Sequence, residues 1–80
     1  MSPYRLVHRH QAHECPIAYA AWKGYDSPLR GLRAVSSCPV GGHEIWFDLE
    51  ADNETAALAH LPHYLAERSV AVKIGEVSIP

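Results

Sequence analysis

Along residues 4–10 apolar and polar positions alternate. Tyr4, Leu6, His8 and His10 share one face; Arg5, Val7 and Arg9 share the other. That spacing predicts a strand. Pro16 suits a first helical position, where its missing N–H has no partner to lose, and residues 17–23 read as a short helix. Ile17, Ala20, Ala21 and Gly24 form its narrow face. Ser27-Pro28 and Gly31 mark a loop. Residues 32–38 alternate weakly and read as a second strand, and Pro39-Val40-Gly41-Gly42 is a hairpin turn signal. Residues 43–50 alternate most cleanly, with Ile45, Phe47 and Leu49 on one face and Glu44, Trp46, Asp48 and Glu50 on the other. Asp52-Asn53-Glu54 is a helix start. The helix is expected over 54–67, with a stripe of Leu58, Leu61 and Leu65. Pro62 costs about 3 kcal/mol in a regular helix interior, so a kink or two short helices meeting there is expected. Residues 69–79 form the last expected strand, with a bulge at Gly75-Glu76 where the apolar phase changes.

This order, β-α-β-β-α-β, predicts an α+β, ferredoxin-like domain spanning 1–80, with a four-stranded antiparallel sheet and both helices on one face. Right-handed crossovers bring the first and third strands side by side, and that central pair is expected to run parallel. Their C-terminal ends then lie together, bringing His8 and His10 near Asp48 and Glu50. Cys38 and His43 are assigned to the opposite edge. A strand of this length is roughly 20 Å long, so Cys15 and Cys38 are expected to lie too far apart to share a metal. Trp46 stands on the face away from the helices. An uncovered Trp in mid-sheet is unfavourable, so a homodimer packed through the open face is expected.

Composition narrows the function classes. The chain has 80 residues, 48% hydrophobic and 20% charged, which suits one globular domain. A domain this small buries only about 60% of its unfolded surface and is marginally stable on its own. The net charge of -2, with scattered Lys and Arg, argues against nucleic acid as a partner. No stretch approaches a membrane span and the first residues hold no apolar signal segment, so a cytoplasmic protein is expected. Two cysteines are too few for a disulfide scaffold and are expected to be reduced.

Chemistry concentrates in His8-Arg9-His10-Gln11-Ala12-His13-Glu14-Cys15. Imidazole and thiol are the side chains that bind transition metals and move protons near neutral pH. His8 and His10 project from one strand face about 6–7 Å apart along the chain. His13 or Cys15 could fold back as a third ligand, and Asp48 or Glu50 could supply a carboxylate or orient an imidazole. Such mixed donors suit Ni, Zn or Cu. No organic cofactor is predicted: the chain lacks phosphate-binding and dinucleotide motifs. His60 with His63, and Cys38 with His43, are secondary pairs read as a solvated helix face and a turn. Cys15 at a helix start is a conceivable nucleophile with a lowered pKa.

The element order resembles small bacterial ferredoxin-like proteins of uncharacterised families, one branch of which binds nickel, and the dimeric α+β barrel proteins. At the level of motif the resemblance rests on His8, His10, His13 and Cys15. It implies either a small metal-binding protein or a dimeric barrel that takes a small-molecule ligand, with a histidine as acid or base. The third reading is an assembly module without chemistry.

Overall fold

The computed structural model describes residues 1–80. Its elements are β1 (Ser2–Arg9), α1 (Cys15–Ala20), β2 (Val35–Ser36), β3 (Glu44–Ala51), α2 (Glu54–Leu58), α3 (His63–Ala66) and β4 (Ser69–Lys73). Short 3-10 turns at Ala12–Glu14 and Cys38–Val40 lead into α1 and out of β2. The fold is α+β, with one open four-stranded antiparallel sheet in the order β2-β3-β1-β4.

The pairing of β1 with β3 corrects the expected parallel pair. The two strands are neighbours, but they run antiparallel, with Leu6 opposite Phe47 and Arg9 opposite Glu44. The reason lies in the connections. The long segment through α1 returns the chain so that β2 runs with β1, and the tight turn after β2 then reverses β3. The end of β1 therefore meets the start of β3. The α1 entry and the turn before β3 lie at one end of the sheet, not at opposite edges.

One sheet face is buried. Tyr4, Leu6 and His8 from β1 and Ile45, Phe47 and Ala51 from β3 point inward, against Ala57, Leu61 and Leu65. Asn53 caps α2 by accepting the Ala56 N–H at 2.8 Å. Pro62 divides α2 from α3 as expected, and its carbonyl accepts the N–H groups of Leu65 and Ala66, so it opens the second helix. The α1 face differs from expectation. Ala18 is buried while Ile17 is exposed, and Trp22 reaches Phe47 with ring centroids 5.9 Å apart. The helix begins at Cys15, not Ile17. The second strand is shorter than expected, and the last ends at Lys73 before the expected bulge. No helix is long and apolar enough to cross a membrane.

The opposite face is open. Arg5 pairs with Asp48 and Arg9 with Glu44 across it, and Val70 and Val72 are exposed beside a half-buried Trp46. Only 13 of 80 residues are buried. A core of that size leaves little margin against the entropy of ordering the chain.

Candidate metal centre

The antiparallel pairing converges four ligand-type side chains at one end of the sheet. His10 follows β1, and its N–H donates to the His43 carbonyl at 3.1 Å, which continues the β1–β3 ladder by one position. Cys15 opens α1, after a turn in which the Gln11 N–H donates to the Glu14 carboxylate at 2.9 Å. Glu14 also accepts from Tyr64 and from Arg68, at 2.5 and 2.9 Å, which ties the Cys15 segment to the end of α3. These donors push the Glu14 carboxyl down to about 2, the Tyr64 hydroxyl contributing most.

Cys38 and His43 flank the turn between β2 and β3. The turn is closed by N–H donation from Val40 and Gly42 to the Ser37 carbonyl and from Gly41 to the Cys38 carbonyl. Gly41 takes φ 91°, a left-handed conformation that costs a glycine little. His43 takes φ 59°, unusual for a residue with a Cβ. This conformation accompanies placement of its imidazole beside Cys15.

The distances define a cluster. Cys15 Sγ lies 3.0 Å from His10 Nε2 and 3.1 Å from His43 Nδ1, and Cys38 Sγ lies 3.5 Å from His10 Nε2. One ligand atom from each of His10, Cys15, Cys38 and His43 lies within 4.8 Å of all the others. Tetrahedral zinc with two S and two N ligands has ligand–ligand edges of about 3.3–3.8 Å. Two of the nitrogen–sulfur separations, 3.0 and 3.1 Å, fall a few tenths of an ångström short of that range and the third, 3.5 Å, lies within it, so small outward side-chain shifts admit an ion. His10 is buried and the other three are partly buried.

Burial, then the neighbouring Cys38 thiol, raises the Cys15 pKa. This is opposite to the lowering expected for a helix-start nucleophile. A thiol so placed is a poor nucleophile, whereas a divalent cation among these four groups would favour its thiolate. Burial lowers the pKa of His8 and of His10. Neutral imidazole is the form that binds metal.

The residues singled out from the sequence divide accordingly. His10 and Cys15 belong to the cluster. His8 stands one hydrogen bond behind it: its Nε2 is 2.9 Å from His10 Nδ1, and it is fully buried. His13 is exposed on the 3-10 turn. Asp48 binds Arg5 through two hydrogen bonds at 2.8 and 2.9 Å, and Glu50 lies opposite Pro3. Both carboxylates are thus toward the far end of β1, and their expected approach to His8 and His10 is corrected with the strand direction. His60, just past α2, bonds to the Ala56 and Ala57 carbonyls of that helix and His63 to Glu67, so they form no pair.

Cys38 and His43 are the residues that sequence reasoning set aside. A signal for them was present. The spacing His10-x4-Cys15 is mirrored by Cys38-x4-His43, the symmetry expected of two ligand pairs brought face to face.

A cavity of about 280 Å³ lies beside the cluster, lined by Tyr19, Trp22, Leu29, Leu32, Ile45 and Phe47, with Arg30 and Ser36 among its polar members. Burial, and then the Cys38 thiol, raise the Tyr19 pKa.

Comparison with known protein families, curated proteins and solved structures finds no match.

Proposed function

We propose that this chain is a small metal-binding protein whose His10, Cys15, Cys38 and His43 hold one zinc-class ion in a closed, four-coordinate site. The observation that carries this reading is the convergence of two imidazoles and two thiols within 4.8 Å. Tetrahedral S₂N₂ donor sets suit zinc better than nickel or copper(II), which favour square-planar or tetragonal geometry. Four protein ligands leave no open position for substrate, so the ion is structural rather than catalytic. Its task follows from the fold. Residues 21–34, between α1 and β2, form a long connection without regular helix or strand. An ion bridging Cys15 and Cys38 closes the segment that contains it and joins the end of β1 to the turn before β3. That clip supplies stability that 13 buried residues provide only sparingly. The strand order supports a ferredoxin-like reading of the fold, with the α1 connection and the α2–α3 connection as its two crossovers.

The test is metal analysis of untagged protein, with a Cys15→Ser, Cys38→Ser double variant beside it. One equivalent per chain is expected for the native protein and none for the variant. Cobalt substitution should give the intense visible bands of a tetrahedral thiolate site. Full metal content in the double variant, or none in the native chain, would overturn the reading.

A further inference from the structure

We propose that His8 is a positioning residue for the metal centre: its hydrogen bonds to the α3–β4 junction and to His10 hold His10 in the tautomer that presents Nε2 to the ion. The inference rests on the metal-binding reading of the cluster and goes beyond it. His8 is not a ligand, yet it assigns which nitrogen of a ligand carries the proton.

The argument starts at the far end of the chain of contacts. The Ser69 hydroxyl donates to the Leu65 carbonyl at 2.6 Å. With its hydrogen committed, Ser69 Oγ is left as an acceptor toward His8. The Leu65 carbonyl is an acceptor by nature. His8 Nδ1 faces both, at 3.1 Å from Ser69 Oγ and 3.3 Å from the Leu65 carbonyl. Nδ1 must therefore carry the hydrogen. A neutral imidazole has one N–H, so His8 Nε2 is an acceptor. It lies 2.9 Å from His10 Nδ1, which then donates to it. His10 is left with a lone pair on Nε2, and Nε2 is the atom beside the Cys15 and Cys38 thiols.

The direction of donation thus runs from the ligand toward β4: His10 to His8, and His8 to Ser69 and Leu65. Every side-chain polar atom along the relay has a partner, and no buried side-chain nitrogen or oxygen in the protein lacks one. The placement explains why a histidine occupies a fully buried position in the apolar face between Leu6 and His10. An apolar residue there would fill the space but leave His10 Nδ1 without an acceptor, free to exchange its proton with Nε2. The register is consistent, since His8 lies opposite Ser69 in the β1–β4 ladder. Through this relay the ion is coupled to α3 and β4, which contribute no ligand.

The experiment compares His8→Leu and His8→Gln with the native protein, each titrated with zinc against a competing chelator. Partners of this kind typically change metal affinity by about 10–100-fold, and His8→Leu should weaken zinc by that factor. His8→Gln should stay within a few-fold of native, because its amide oxygen reaches the position of Nε2 and accepts from His10. Nitrogen NMR of the native, cadmium-loaded protein should show the His10 Nε2 coupled to the metal and its Nδ1 bearing hydrogen. This readout does not depend on any variant folding. Native zinc affinity in His8→Leu, equal losses in the two variants, or metal coupling at His10 Nδ1 would each overturn the proposal. If zinc binds natively while these outcomes occur, the centre stands and the relay falls. If the native protein takes up no metal, both fall.

Discussion

Replacing Cys38 by Ser tests how much of this small fold depends on the centre. Cys38 Sγ stands 3.5 Å from His10 Nε2, and serine substitutes a shorter, harder and weakly coordinating oxygen for a thiolate. The size of the effect follows from linkage. Structural zinc sites bind with about 10–16 kcal/mol, and about 12.3 kcal/mol corresponds to a dissociation constant of ~1 nM. At about 1 μM free zinc, a thousand-fold excess over that constant, binding stabilises the folded state by about 4 kcal/mol. A domain of this length holds only about 4–12 kcal/mol in total, so an ion bound there would supply a large fraction of it. Each kcal/mol moves the midpoint of thermal unfolding by about 4–8 °C in a chain this short. The native protein should therefore melt about 15–30 °C higher in buffered zinc than in chelator. Cys38→Ser should melt near the chelator value under both conditions. The assay is thermal unfolding followed by circular dichroism at fixed free zinc. A zinc-independent midpoint in the native protein, or a variant that keeps the full zinc shift, would refute the reasoning.

Three further outcomes are expected. A Cβ at Gly42 would stand 2.3 Å from Ser37 Oγ, which is held as acceptor of the Glu44 N–H, so Gly42→Ala should cost about 1–3 kcal/mol and weaken zinc binding by displacing His43; chemical denaturation and zinc titration measure both effects. In chelator, stability should fall as pH drops below 6.5, the unfolded value for histidine, because burial holds the pKa of His8 and His10 lower in the folded state and the unfolded chain takes up protons first; a flat dependence from pH 6.5 downward through the depressed folded values would contradict this. Covering Trp46, Val70 and Val72 with a second copy of the chain should give twice the monomer mass by sedimentation, and Val72→Glu, which sets a charge on that face, should restore the monomer; a native monomer at high concentration sinks the dimer.

The division between local and global information is visible residue by residue. Alternation in residues 4–10 and 43–50 identified β1 and β3, because a strand with one buried face must repeat every second position. Asn53 and Pro62 marked a helix start and a break through local backbone chemistry that needs no tertiary partner. His10 and Cys15 were legible as ligand types from their crowding in one run. Their true companions were not legible, since the distance between Cys15 and Cys38 depends on whether β3 runs with or against β1. Period-two alternation looks the same in either direction, so it carries no strand polarity. That choice belongs to the crossover through α1 and the reversal after β2. It excluded Asp48 and Glu50, joined Cys38 and His43 to the cluster, and turned His8 from a candidate ligand into the group behind one. The sequence by itself determined which side chains could bind a metal; the antiparallel β1–β3 pairing decided which four of them meet.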